Sequence, residues 1–403
     1  MNLDKLEVLS PAGSFESLSA AVDYGADAVY LGGQSFGMRA GPENFTYDSM
    51  KAAVELAHSK DVKIYLTCNT LPRNNEIPNF RQFMEEANDC GVDAVIVADL
   101  GLLSLVKKFY PDMEVHMSTQ TGIVNYVTAR ELYNMGVKRI VVARELSLEE
   151  IAEIRAKTPA DLDIEAFVHG AMCVSFSGRC LLSQYLANRD ANRGECAQPC
   201  RWSYSLMEET RKGEYYPIAE DIDGTYILNA KDLCMIDHLA EVAEAGVTSF
   251  KIEGRAKSSY YVSVITNAYR MAVDIMKQGS ELPEWIKEEV FKVSHRPYCT
   301  GFFFGHPKEC QYYQSSGYIR EYDVAAIIDE CKGGYIYCTQ RNKFCKGDEA
   351  EVLAPGKKYD MLKVSELLNG DMEPIESANH AMMKLRIPCE KEYPKNSIIR
   401  IKK

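Results

Sequence analysis

The sequence has no run of about 18 apolar residues, so it offers no membrane-spanning helix. It is poor in positive charge: 46 Lys and Arg stand against 58 Asp and Glu, a net charge of −12. A surface of that sign repels polyanions, so a nucleic-acid partner has to be met by a local basic patch. Met1 to Lys5 are mostly polar and lack the apolar stretch of a signal peptide, and the expectation is a cytoplasmic protein. No G-x-G-x-x-G turn and no H-E-x-x-H helix occurs, which removes the usual marks of a dinucleotide fold and of a zinc protease.

Cysteine, by contrast, is abundant. Thirteen are present, and in a reducing compartment they are free thiols or metal ligands; the odd number fits that reading. Cys310, Cys331, Cys338, Cys345 and Cys389 have irregular spacing and no paired knuckle, and read as ordinary buried thiols.

Short aliphatic runs recur over the first 255 residues: Leu6–Ser10, Ala28–Gly32, Val62–Cys68, Ala94–Asp99, Glu114–Ser118, Arg139–Ala143, Asp163–Val168 and Thr248–Glu253. They have the length and composition of buried parallel strands. Helical patterns lie between them at Phe15–Tyr24, Tyr47–Ser59, Phe80–Cys90, Ala129–Met135, Leu148–Lys157 and near Asp232–Glu244. Four helix-to-strand joints repeat one form, with Gly25, Gly91, Gly136 and Gly246 where a left-handed helix stop is needed. Eight β–α units predict a (β/α)8 TIM-like barrel; a doubly wound open sheet is the alternative. The expected barrel domain spans residues 1–294 and ends with helices at Tyr261–Met276 and Trp285–Ser294. Residues 295–403 carry short strand-like runs (Val324–Ile328, Tyr335–Thr339, Glu349–Leu353, Met382–Ile387) and predict a small antiparallel β-barrel.

One connection breaks the rhythm. The insertion at 170–230, after the seventh strand, is too long for an idle loop and leaves the end of a strand where barrel enzymes place their chemistry. It holds Cys173, Cys180, Cys196 and Cys200. Clustered thiolates bind zinc or iron–sulfur clusters. The spacings lack the tight C-x2-C knuckles of zinc sites and suit a bulkier 4Fe-4S core. Gly170, Gly178 and Gly194 let the backbone wrap closely. Cys234 is a fifth candidate.

The run Glu165-Ala166-Phe167-Val168-His169-Gly170-Ala171-Met172-Cys173, followed by Gly178-Arg179-Cys180-Leu181-Leu182-Ser183, resembles the signature of the collagenase-like peptidase family U-32. The likeness continues in Leu9–Gly13, Gly25–Tyr30, Arg144–Ser147, Asn188–Asp190 and Lys251–Arg255. Within the family the chain looks most like the tRNA-hydroxylating branch, which shares a Cys-x3-Cys-Arg-Trp element and a C-terminal β domain. That resemblance implies an iron–sulfur protein making 5-hydroxyuridine at the wobble position of tRNA, with prephenate as the metabolite. It also implies a homologous subunit as a partner, and in some relatives a cluster ligand downstream of the Cys196 position, which Cys234 would supply.

Polar residues at strand ends should face the substrate. His169, Arg144, Glu145, Glu165, Glu253 and Arg255 are the candidate catalytic set, and Ser10, Arg39, Asn69, Asp99, Gln120 and Lys251 the candidate substrate contacts. His169 can donate a proton, bond a cluster sulfide or cap its strand. Arg144 and Arg255 suit a dicarboxylate or an RNA phosphate equally. Within Gly170–Lys212, Arg179, Arg189, Arg193, Arg201, Arg211 and Lys212 outnumber Asp190, Glu195, Glu208 and Glu209. Phe176, Trp202 and Tyr204 add rings on which an unstacked base can lie. A peptidase would instead need a base for a cysteine nucleophile, and His169 is the only histidine in the signature.

Overall fold

The computed structural model describes residues 5–38, 43–173, 180–191, 194–202, 220–221, 224–225, 230–305 and 318–403. The chain opens with β1 (Glu7–Pro11), α1 (Phe15–Asp23), β2 (Ala28–Gly32), α2 (Tyr47–His58), β3 (Lys63–Cys68), α3 (Ile77–Cys90) and β4 (Ala94–Val97). It continues with α4 (Leu100–Phe109), β5 (Glu114–Met117), α5 (Tyr126–Asn134), β6 (Arg139–Val141), α6 (Leu148–Ala156) and β7 (Asp163–Ala171). After α7 (Leu182–Ala187) come the two-residue strands β8 (Glu220–Asp221) and β9 (Gly224–Thr225), β10 (Asp232–Cys234), α8 (Leu239–Glu244) and β11 (Ser249–Ile252). The unit ends with α9 (Ser259–Lys277), α10 (Glu284–Glu289) and β12 (Tyr298–Cys299).

Strands β1 to β7 pair in sequence and in parallel, and β11 pairs with both β1 and β7. The sheet therefore closes, and the expected eight-stranded barrel is the fold. Its strands are the runs read from the sequence, shifted by one to three residues at their ends. The repeated joints behave as their chemistry requires: Gly25, Gly91, Gly136 and Gly246 have φ of 93°, 79°, 89° and 97°, a region that side chains resist. Helix starts are capped by side chains, Ser14 on α1, Thr46 on α2, Asp99 on α4 and Ser147 on α6. The main apolar core lies between the barrel wall and these helices, with Val8, Leu31, Ile64, Val95, Val115 and Phe250 fully buried.

Two local expectations fail. Asp232–Cys234 is strand, not helix start: it runs antiparallel along the end of β7, with Cys234 opposite His169. Its neighbour β12 pairs with it in parallel, so this sheet reaches past the boundary expected at residue 294.

The C-terminal unit contains β13 (Tyr322–Lys332), β14 (Tyr335–Gln340), β15 (Phe344–Cys345), β16 (Glu349–Leu353), β17 (Asp360–Lys363), β18 (Ser377–Ala378), β19 (Lys384–Pro388) and β20 (Ile398–Lys402). Six of these form an antiparallel sheet in the order β17-β16-β20-β13-β14-β19 around its own core. This is the small antiparallel β unit expected; among the described residues no ladder joins its outer strands β17 and β19. It is tied to the first unit by a buried cluster of charge. Arg400 is fully buried and reaches Glu289 at 2.7 Å and Glu351 at 2.7 Å, while Lys292 sits 3.1 and 3.0 Å from the same two carboxylates. Two cations matched to two anions make the desolvation bearable; losing any one leaves a buried charge unpaired.

Candidate active site at the barrel mouth

Inside the barrel, inward positions on β1 to β4 stack Leu9, Ala28, Tyr30, Tyr65, Ala94 and Ile96. Opposite them the lining is charged. Glu7 on β1 accepts from Arg139 on β6 at 2.5 Å, from the Tyr65 hydroxyl at 2.7 Å and from Ser249 at 2.7 Å. Arg139 also reaches Glu165 at 3.4 Å, and Lys251 donates to Glu165 at 2.6 Å. Burial alone would raise the Glu7 carboxyl, but the Arg139 charge and the three donors hold it down at about 2.

Above this network, at the C-terminal ends of the strands, a cavity of about 1080 Å³ opens. Among its lining are residues of the segments after β5, β6 and β11 and of the end of β7: Gln120, Arg144, Glu145, Glu253 and Ala171. Arg144 is held from three sides. It donates to the Ala171 carbonyl at 2.8 Å, pairs with Glu253 at 3.5 Å and lies 3.9 Å above the ring of Phe167. The tight approach needs Gly170. Its φ is +110°, and a Cβ there would stand 2.6 Å from the Glu253 carbonyl oxygen.

The insertion covers one side of the cavity, and all four of its cysteines, Cys173, Cys180, Cys196 and Cys200, line it. They are half-buried or exposed, unlike the buried Cys68, Cys90 and Cys338. The donor set is therefore chemically right for an iron–sulfur cluster and faces one space. Among the described residues no three Cys, His, Asp or Glu side chains converge as closely as a metal ion requires. The opposite wall belongs to the C-terminal unit, through Tyr318, Arg320, Tyr322 and Arg341.

The remaining site expectations separate. Gln120, Arg144, Glu145 and Glu253 line the cavity. His169 does not. It is buried among the rings of Tyr261, Tyr269 and Tyr298. Tyr269 donates its proton to the Val168 carbonyl (2.9 Å), so it can only accept from Nδ1–H of His169 (3.2 Å). Burial, with the charges of His295 and Lys257, lowers His169 to about 3, so the ring is neutral and unfit as a proton donor. Glu165 and Lys251 lie within the barrel's buried ion network, below the cavity. Ser10 points outward from β1 and bonds Thr266 of α9 at 2.8 Å. Asp99 caps α4 through the Leu102 amide. Asn69 accepts from the Met38 amide at 3.1 Å, and buried Arg255 ties Thr67 to Asn44 at 3.2 and 2.7 Å. These last two brace the loop after β2. Cys234 sits beside Tyr269, its Sγ 4.0 Å from the hydroxyl, and burial pushes its thiol up to about 12; it does not line the cavity. Arg39, Phe176, Arg179, Arg193, Tyr204, Arg211 and Lys212 lie outside the described residues, as do Gly178 and Cys310. Of the expected stacking rings Trp202 is described; it is exposed and donates to the Ala197 carbonyl at 3.2 Å.

Residues 13–312 match the profile of Peptidase family U32, and residues 320–400 match its C-terminal domain. The chain belongs to peptidase family U32. It is 34% identical to tRNA hydroxylation protein P of Escherichia coli, over 96% of this chain and 95% of that one. It is 35% identical to tRNA hydroxylation protein P1 of Bacillus subtilis, over 97% and 94%. It is 31% identical to a collagenase of Porphyromonas gingivalis, over 100% and 99%. Likeness to this U32 set thus spans both structural units.

Among the cavity residues of this U32 chain, sequence reasoning missed Lys257, Tyr318, Arg320, Tyr322 and Arg341. Lys257 follows β11 in the barrel unit, and the other four are brought there by the packing of one unit on the other. The hydrolase spacing G-x-S-x-G does occur once, as Gly33-Gln34-Ser35-Phe36-Gly37. It follows β2 but is not a strand-to-helix elbow, because α2 starts only at Tyr47, and Ser35 does not line the cavity.

Proposed function

We propose that this chain hydroxylates uridine in tRNA, making 5-hydroxyuridine at the wobble position, with a 4Fe-4S cluster and with prephenate as co-substrate. The observation that carries the reading is the cavity itself. In a chain of net charge −12, one space at the barrel mouth holds four thiols and a surplus of cations, in a fold shared nearly end to end with two proteins named for tRNA hydroxylation. A wobble base lies in a single-stranded loop, so it can enter such a space without the cost of opening a duplex.

Cys173, Cys180, Cys196 and Cys200 would hold the cluster, which when bound supplies single electrons or braces the insertion. Arg144, fixed by Ala171 and Glu253, is placed to bind a carboxylate of prephenate or the base's oxygen edge. Gln120 and Glu145 offer further polar contacts beside it. A peptidase reading rests on the family's name and the collagenase relative. It would need a base beside a nucleophile, and His169 is enclosed away from Cys173's cavity.

The test is nucleoside analysis of tRNA from a strain lacking this chain. Loss of 5-hydroxyuridine, restored by the wild-type gene, is the expected result. Unchanged tRNA, together with gelatin cleavage by anaerobically purified protein, would replace this reading with the peptidase one.

A further inference from the structure

The C-terminal unit forms one wall of the cavity, and that wall is basic and aromatic. Arg320 and Arg341 lie on it with Tyr318 and Tyr322. Lys257 lies 4.3 Å and Arg296 4.8 Å from the ring centre of Tyr318, and Arg189 of the insertion lines the same cavity. Over the whole described lining, five cationic side chains (Arg144, Arg189, Lys257, Arg320, Arg341) meet three carboxylates (Glu16, Glu145, Glu253). This surplus stands out against the chain's net charge of −12.

The two arginines are not committed to the fold. Arg320 pairs with Asp323 and is 53% exposed; Arg341 pairs with Glu16 at 3.2 Å and is 34% exposed. Exposed pairs of this kind contribute little to stability, so an incoming anion can replace the carboxylate. The wall itself is fixed, because the largely buried Arg400–Glu289–Glu351–Lys292 cluster locks the C-terminal unit onto the barrel. Rigid placement means that binding does not have to order the surface first.

We infer that this wall binds the ribose–phosphate backbone on either side of the target base, with Arg320 and Arg341 on phosphates. Arginine forks match phosphate oxygens in pairs. The unit thus grips the strand while the barrel mouth receives the nucleotide to be modified. This inference rests on the RNA reading above. An acidic peptide would be drawn by the same charge, but the full-length relatives named for tRNA hydroxylation favour the RNA strand.

The experiment measures binding of an unmodified tRNA transcript to the full chain as salt is varied. In the double variant Arg320→Gln/Arg341→Gln, losing two phosphate contacts should reduce the slope of log K against log salt by about 1.4, at roughly 0.7 per single-strand phosphate. Affinity should fall about tenfold or more near physiological salt. Arg320→Lys/Arg341→Lys should keep the slope, which separates lost charge from lost fold. An unchanged slope and affinity in the Gln variant, with wild-type protein still modifying tRNA, overturns this inference alone. A Gln variant that weakens binding of an acidic peptide but not of tRNA also overturns it. Wild-type protein that neither binds nor modifies tRNA overturns the functional reading with it.

Discussion

Glu7→Gln is the sharpest test of how the barrel is held together. The Glu7 carboxylate lies inside the barrel, bonded by Arg139, Tyr65 and Ser249 at 2.5, 2.7 and 2.7 Å. These partners outweigh burial and bring it from 4.5 down to about 2. At ~1.36 kcal/mol per pH unit, that drop corresponds to about 3 kcal/mol of stability. The sign follows from the depressed value: the contribution is full above pH 4.5 and is lost as pH falls from 4.5 towards 2. A glutamine keeps the shape but leaves Arg139 to Glu165 and Asp163, at 3.4 and 3.7 Å. The variant should lose about 3 kcal/mol at pH 7 and show a flatter acid limb. Denaturant unfolding followed by circular dichroism at helix wavelengths reads the right unit, since among the described residues all ten α-helices belong to the barrel unit. Equal stability at pH 7, or an acid limb as steep as wild type, would refute the reasoning.

Three further outcomes follow from the same geometry. Gly170→Ala should cost about 2 kcal/mol or more, since φ +110° and a Cβ 2.6 Å from the Glu253 oxygen both oppose it, and the melting temperature reads this directly. His169 is lowered to about 3 by burial, so its contribution is intact above pH 6.5 and is lost as pH falls towards 3; His169→Phe should leave the pH profile of activity between 5.5 and 8 unmoved, and a lost limb near 6.5 would contradict its enclosure. Anaerobically purified protein should carry about four irons with a brown iron–sulfur spectrum, dropping sharply in Cys196→Ala; colourless protein containing zinc would replace the cluster with a zinc site.

The barrel was legible because short β-branched runs, helix caps and left-handed glycine stops agree with one another along the chain. The site was legible in part. Arg144, Glu145, Glu253, Gln120 and the four cysteines of the insertion face one cavity, as their places after strand ends suggested. Ser10 and Asp99 show why position alone is not enough. A strand alternates its faces, so Ser10, next to inward Leu9, turns outward to Thr266. Asp99 stands at a strand end too, but a carboxylate before Leu100 is equally the cap of a helix, and that is its use. His169 sits in the most specific motif of the chain, yet β10 and the tyrosines of α9 and β12 close over it. Nothing local in the sequence announces that cover. The cavity's far wall was invisible for the same reason: Tyr318, Arg320 and Arg341 reach it through the packing of the two units, held by the buried Arg400 cluster and by bonds such as those of Tyr24 to the Leu353 and Asn396 carbonyls.

The most direct test of the central claim is the 5-hydroxyuridine content of tRNA from the deletion strain, complemented by wild type, by Arg144→Met or by Cys173→Ala. Arg144→Met keeps the stack on Phe167 but loses the charge lining the cavity. The account predicts that wild type restores the modified nucleoside and that both variants, expressed as folded protein, do not. Full restoration by either variant would place the chemistry somewhere other than this cavity.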